Sequence, residues 1–286
     1  MQSSNSILVL PTIHNIEEVI AGLSEKYQLT KGKFSQLEYI LKDGKVILRH
    51  AGRDIKEFSN VWLSSYWRSR DLAYAVKLYL THNEISHTYV EKATSKLTDQ
   101  IIFALNNISI PNTFFIDDED ISSHIDTIED VCKYPLIIKD ITGSGGRLSA
   151  LVSNREQLID KYKELPKRKK YLFQQFIPND YDWGILIVNG KAVSAEKSFS
   201  IQGEFLNNAC NGAKEVFVEM NEVPQHIIDM AIKSTKLLKL NWARADIVID
   251  KKTNKAYIME VNRCPGISTG SSEVIGAQIF LDNHLE

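Results

Sequence analysis

Residues 244–250, Arg-Ala-Asp-Ile-Val-Ile-Asp, and 256–262, Ala-Tyr-Ile-Met-Glu-Val-Asn, flank the polar run Lys251 to Lys255. They read as two strands joined by a turn. If the turn pairs Asp250 with Ala256, Asp246 lies directly across from Glu260, with Asn262 on the same face by the period of two. Facing carboxylates at cross-strand distance repel each other, so the arrangement is costly unless a divalent cation sits between them. Oxygen donors of this kind suit a hard cation, Mg²⁺ before others. The alternative is a solvated sheet face, against which the neighbouring apolar residues argue.

The chain has 286 residues, 43% of them hydrophobic, which is enough for a substantial core and for two or three compact units. Its formal net charge of −2 gives no field that would recruit nucleic acid or an anionic membrane. The basic run Lys167-Arg-Lys-Lys170 follows Pro166 and reads as a solvated turn. No apolar run approaches the roughly 20 residues that span a bilayer, and Met1 to Ser6 lacks the features of a signal peptide. A cytoplasmic location is expected. Cys132, Cys210 and Cys264 are few and widely spaced, as reduced thiols are, and nothing near Cys264 in sequence supports reactivity. The seven histidines show no metal-ligand spacing.

Strand patterns at Ser6 to Leu10, Lys45 to Leu48 and Val61 to Leu63 precede helical spacing over Arg70 to His82, with Leu72, Ala75, Val76 and Tyr79 on one face. This alternation predicts an α/β unit over residues 1–91. Thr94 to Leu105 reads as a helix, and Asp117 to Asp120 as the acidic start of another. Tyr134 to Lys139, the glycine-rich Gly143-Ser144-Gly145-Gly146 and Leu148 to Val152 form a predicted hairpin. Strands at Tyr171 to Ile177 and Ile185 to Val188 and a helix at Val223 to Leu240 lead to the acidic pair. The expected fold class is α/β with α+β lobes, the second unit covering 92–170 and the third 171–286.

In order and spacing these segments resemble the ATP-grasp superfamily, and within it the RimK-type carboxylate-amine ligases, from about Lys92 to Ile279. Lys96, in Ser-Lys-Leu-Thr, and Lys139, ending a strand before the glycine loop, match the two phosphate-gripping lysines. Gly143, Ser144 and Gly146 match the lid over the triphosphate, where a missing Cβ lets backbone N–H groups approach phosphate. Phe173-Gln174-Gln175-Phe176-Ile177 resembles the adenine hinge, with main-chain groups of Gln175 and Ile177 on the base edge and Asp182 on the ribose. Plain core packing is the other reading of Phe173, Phe176 and Ile177, and the two are compatible. Lys197 and Asn208 match positions for the transferred phosphate and the substrate.

What the resemblance implies is an N-terminal pre-ATP-grasp domain followed by two lobes enclosing ATP. Mg²⁺, or Mn²⁺ in its place, would sit on Asp246, Glu260 and Asn262. A carboxylate would attack the γ-phosphate, and an amine would displace phosphate from the acyl phosphate, with Lys197, Asn208 and Arg263 as catalytic groups. The acceptor would be a peptide or protein; a small amino acid or dipeptide ligase is the alternative, and a homo-oligomer is allowed. A non-catalytic ATP-binding module and a phosphotransferase are readings of other classes. Several positions depart from the family: Asp140 follows Lys139, Leu148 replaces a glycine, and Gly184 and Ser198 stand where arginines are common. Two lost cations disfavour an acidic substrate such as free glutamate. Arg68 and Arg70 read as a solvated helix start.

Overall fold

The computed structural model describes residues 5–23, 26–66, 68–117, 120–143, 148–199 and 214–284. It opens with β1 (Ser6–Leu10), α1 (Ile16–Leu23), β2 (Gln28–Lys31), β3 (Leu37–Lys42), β4 (Lys45–His50), β5 (Arg53–Asp54), β6 (Asn60–Leu63), α2 (Arg70–His82) and β7 (Ser86–His87). A four-stranded parallel sheet has the order β2-β1-β6-β7, with β3, β4 and β5 forming a small antiparallel sheet beside it. Every residue of β1 is buried, as a central parallel strand requires. Its alternating side chains feed two cores. Leu8 and Leu10 join Val61, Leu63, Ala73, Val76 and Leu80. Ile7 and Val9 join Ile16 and Val19 of α1, together with residues far along the chain.

Helix α2 has the predicted limits, but its buried face is Ala73, Val76, Tyr79 and Leu80, while Leu72 and Ala75 are exposed. Arg70 lies on that inward face, 7% exposed, with Nη1 3.7 Å from Oε1 of Glu91. The helix start is therefore a buried ion pair at Arg70 and solvated only at Arg68, which is exposed.

The central part contains α3 (Lys96–Leu105), β8 (Thr113–Phe115), α4 (Ile125–Cys132), β9 (Leu136–Asp140), β10 (Ala150–Val152), α5 (Arg155–Glu164) and β11 (Tyr171–Gln175). Helix α3 begins where Ser95 Oγ accepts the Thr98 N–H and Thr98 Oγ1 accepts the Ser95 N–H, a reciprocal cap. The sheet runs β10-β9-β11-β8, antiparallel throughout. Leu136, Ile138, Tyr171 and Phe173 face the core beneath α4 and α5. Phe173 is thus a core residue, and by the period of two Ile137, Lys139, Leu172 and Gln174 form the other face. Of the acidic run Asp117 to Asp120, residues 118 and 119 lie outside the described residues, and Asp120 accepts the Ser122 N–H at 2.9 Å at the start of a 3-10 turn, Ser122–His124, that leads into α4.

The last part is β12 (Asp182–Val188), β13 (Lys191–Phe199), β14 (Lys214–Val218), α6 (Gln225–Leu237), β15 (Trp242–Ile249), β16 (Ala256–Asn262) and α7 (Ser272–His284). Its antiparallel sheet has the order β14-β13-β12-β15-β16. One face, with Ile185, Ile187, Ala195, Ala243, Ala245 and Ile247, packs on α6 and on Phe103 of α3. On the other, Leu186, Val188 and Trp242 meet Phe280 and Leu281 of α7 and the Ile7/Val9 side of β1. Trp62 of β6 sits edge-on to Trp242 at 5.0 Å and 4.7 Å from Phe280. The N-terminal sheet and the last sheet therefore share one aromatic core. Among the described residues no helix is long and apolar enough to cross a membrane.

Phe280 is fully buried at that junction. Phe280→Ala should cost about 3–5 kcal/mol, read as a single urea transition moved to lower midpoint. A loss below about 1 kcal/mol, or a separate early transition of the N-terminal sheet, would contradict the shared core.

Candidate active site

The hairpin of β15 and β16 sets the acidic row. Near the turn Ile249 pairs with Ala256, one residue off the predicted pairing, because Asp250 closes the turn by accepting the Asn254 N–H on its carbonyl and the Lys252 N–H on Oδ1. Between Asp246 and Ile247 the register then shifts, leaving Met259 as an extra residue whose carbonyl accepts the Gln100 side-chain N–H at 3.0 Å. The bulge brings Asp246 opposite Glu260 and Arg244 opposite Asn262. Asn262 Nδ2 donates to Asp246 Oδ2 at 2.8 Å.

Two cations converge on this row. Lys96 Nζ, at the first turn of α3, lies 2.5 Å from Glu260 Oε2. Lys139 Nζ donates to Gln174 Oε1 at 2.8 Å, and Gln174 Nε2 donates to Thr113 Oγ1, which fixes the lysine across its sheet. Burial, with the Lys96 ammonium nearby, pulls Lys139 down to about 8, while Glu260, Asp182 and Asp246 act the other way. The same groups shape the acids. Burial and then the facing Glu260 push the Asp246 carboxyl well above the usual range. Burial also works against Glu260, but Lys96, with Lys139 and Arg263, more than offsets it and holds that carboxyl low. Among the described residues no three His, Cys, Asp or Glu side chains form a metal-binding group; the third side chain of this row is the Asn262 amide.

Of the other expected positions, Asp182 starts β12, accepts from Asn179 Nδ2 at 2.5 Å and acts electrostatically on Lys139. The Gln175 N–H is taken by the Asn112 carbonyl at 2.8 Å, and Ile177 is buried. Gly143 donates its N–H to Asp140 O at 3.1 Å. Ser144, Gly146 and Asn208 lie outside the described residues.

Lys197 is not brought to this face. It pairs with Trp183, in the row of Ile247, and its ammonium lies 4.9 Å from the rings of both Tyr181 and Trp183. The cause is a bulge. Val188 pairs with Lys191 around the Asn189-Gly190 turn, whose φ values are 47° and 76°, and counting from there puts Lys197 opposite Asp182. The register shifts after Ile187, leaving Val193 over and delivering Glu196 to the site face instead.

Arg263 also has a different setting. It is 7% exposed, and its Nη1 and Nη2 hold both oxygens of Asp99 at 2.8 and 2.9 Å while Nε engages Glu91. With Arg70 on the far side of Glu91, this buried network ties the end of β16 to α3 and the N-terminal part. Its partners lie up to 172 residues apart, so no local signal announces it.

Sequence reasoning also passed over two supports. Asp140, 2% exposed, accepts from Thr142 N and Oγ1 through Oδ1 and from Lys169 Nζ at 2.7 Å through Oδ2, so the departure from the family pattern organises the start of the glycine loop. The basic run is accordingly a partnered turn, with Lys170 on Asp117. Arg244, two residues before Asp246 and so on its face, holds Glu196 at 3.0 Å and Glu273. Burial pushes the Cys264 thiol up to about 12 despite a contact with Ser64, which leaves little nucleophilic thiolate near neutral pH.

A family model described as the RimK-like ATP-grasp domain matches residues 93–282. The chain belongs to the RimK-like ATP-grasp family. It is 26% identical over 208 residues to a probable alpha-L-glutamate ligase of Psychromonas ingrahamii, covering 70% of this chain and 66% of that one. It is 30% identical over 145 residues to D-alanine–D-alanine ligase A of Clostridium perfringens, covering 48% and 47%. The chain spans less than two thirds of the length of these alpha-L-glutamate ligases, 65% of the one from Syntrophotalea carbinolica. In fold it is similar to the ATP-grasp ligase PsnB complexed with minimal precursor, Mg and ADP, with a TM-score of 0.71 over 100% of this chain and 99% of that one at 13% identity. It is likewise similar to D-alanine–D-alanine ligase from Bacillus anthracis complexed with ATP, with a TM-score of 0.69 over 98% and 96% at 17% identity.

Arg263→Gln would leave Asp99 and Glu91 buried with Arg70 as the neighbouring cation and one hydrogen bond to Asp99 from Thr94. It should cost about 3–5 kcal/mol, read as a lowered denaturant midpoint. A loss below about 1 kcal/mol would contradict the bracing role.

Proposed function

We propose that this RimK-like ATP-grasp chain is an ATP- and Mg²⁺-dependent ligase that joins a carboxylate to an amine on a peptide or protein acceptor. The observation that carries the reading is the convergence of Lys96, Lys139, Asp246, Glu260 and Asn262 from two sheets and one helix start. The donor set fits a hard divalent ion. Two carboxylates face each other in one row, Asp246 is pushed far up by burial and by its partner, and the third ligand is an amide oxygen. Asp246, Glu260 and Asn262 would hold Mg²⁺, which supplies neutralisation of phosphate charge.

The chain's own residues account for the rest. Lys139, pinned by Gln174, and Lys96 grip phosphates as point charges. Burial costs Lys139 part of its charge, and a phosphate anion restores it. Ile137 and Leu172, buried on the Lys139 face, supply an apolar floor for a base, with Asp182 for the ribose. Phosphoryl transfer needs position and charge more than an acid-base pair, and that is what this residue set offers. The substrate carboxylate attacks the γ-phosphate to give an acyl phosphate and ADP, and the amine then displaces phosphate. Gly143 to Gly146 would close over the triphosphate, with residues 1–91, 92–170 and 171–286 as the three units around it. A peptide acceptor is favoured by full-length fold similarity to PsnB, solved with a precursor peptide and AMPPNP.

With Mg-ATP and a carboxylate donor, hydroxylamine should be captured as a hydroxamate with one ADP released per product. Glu260→Gln should reduce that turnover at least about 100-fold, and Lys139→Ala should weaken ATP binding about tenfold or more. ADP release with phosphate left on the product would make it a phosphotransferase, and wild-type turnover in Glu260→Gln would remove the metal role.

A further inference from the structure

The sheet row that holds the metal ligands continues past Asp246. Asp246 pairs with Gly184, and Gly184 with Glu196. At about 4.8 Å per strand, Glu196 stands roughly 10 Å from Asp246 along the row. Between them there is no side chain. A Cβ on Gly184 would lie 2.6 Å from Oε1 of Glu196, so the glycine is what lets the glutamate lean across β12 toward the metal ligands.

Glu196 is 3% exposed, with Oε1 3.0 Å from Nη1 of Arg244, and its Oε2 has no hydrogen-bond partner among the described residues. Arg244 is shared with Glu273, and Glu215 on β14 adds its charge from the neighbouring row. One guanidinium thus faces three carboxylates, Glu196, Glu273 and Asp246, and Glu215 adds a fourth negative charge beside Glu196. A buried carboxylate oxygen without a donor is costly until one arrives, and a second anion beside it is costlier still. The local charge therefore selects for a cation and against a glutamate-like ligand.

We infer that the substrate seated beside the phosphates carries an ammonium group on Glu196 Oε2, so that the chain takes a cationic amine rather than an acidic amino acid. The inference rests on the ligase reading above, because it places the amine next to the same nucleotide. Gly184 leaves the room that the Glu196 side chain fills, Glu196 receives the ammonium, and Arg244 keeps the glutamate in place.

The test is titration calorimetry on the full chain loaded with Mg²⁺ and AMP-PNP, with L-lysinamide and L-glutamate as probes. L-lysinamide should bind at least about tenfold tighter than L-glutamate, and Glu196→Gln should lose about tenfold for L-lysinamide, a difference of about 1.4 kcal/mol, with AMP-PNP affinity unchanged. Equal or tighter L-glutamate binding, or a folded Glu196→Gln that binds L-lysinamide like wild type, overturns the inference. Glu215→Gln, which leaves the Arg244 pair intact, should lose affinity in the same direction. If Glu196→Gln does not fold, unchanged binding by Glu215→Gln overturns it. Wild-type protein that fails to bind AMP-PNP removes the ligase reading and this inference together, whereas normal AMP-PNP binding without a lysinamide preference removes this one alone.

Discussion

Two half-buried carboxylates held face to face on adjoining strands are the constraint from which the rest of this structure follows. Asp246 and Glu260 repel each other wherever both are charged, so cations must be close by. Lys96 answers Glu260 directly, and Lys139 lies within electrostatic reach of both acids. The cap that starts α3 at Ser95 puts the first of these in place, and the Gln174–Thr113 chain puts the second. Local capping, sheet hydrogen bonding and site charge are one arrangement.

The scaffold keeps that arrangement rigid by sharing cores. Strand β1 contributes Leu8 and Leu10 to one core and Ile7 and Val9 to another that also contains Leu186, Val188, Trp242 and Phe280. The Arg263 network adds a charged joint between the end of β16, α3 and Glu91. Removing one partner of such a network leaves a buried charge uncompensated, which makes it a register device for the strand that carries Glu260 and Asn262.

How much was legible in the sequence depended on how local the determining forces were. The acidic row was legible because the period of two and a short turn nearly fix it, although the turn pairing was one residue off and the Met259 bulge restored it. The same kind of count from Asn189-Gly190 gives the wrong face for Lys197, since the shift at Val193 reverses parity and presents Glu196. A bulge is set by packing on α7, where Gly276 makes room for Val193, and that contact spans 83 residues of chain (276 − 193). Helix α2 showed its limits but not its rotation, because Arg70 turns inward to Glu91. Arg263 resembled a catalytic group by position, and its partners Asp99 and Glu91 could not be inferred from spacing.

The acidic row therefore explains both the lysines and the glycine at 184, and its central claim is that Asp246, Glu260 and Asn262 point to one ion. The most direct measurement is an anomalous difference map from crystals grown with ADP and Mn²⁺, collected near the manganese edge. One peak per chain is expected within bonding distance of an oxygen from each of the three side chains, with the Lys96 ammonium moved off Glu260. A peak elsewhere, or bound ADP with no metal signal at these residues, would contradict it.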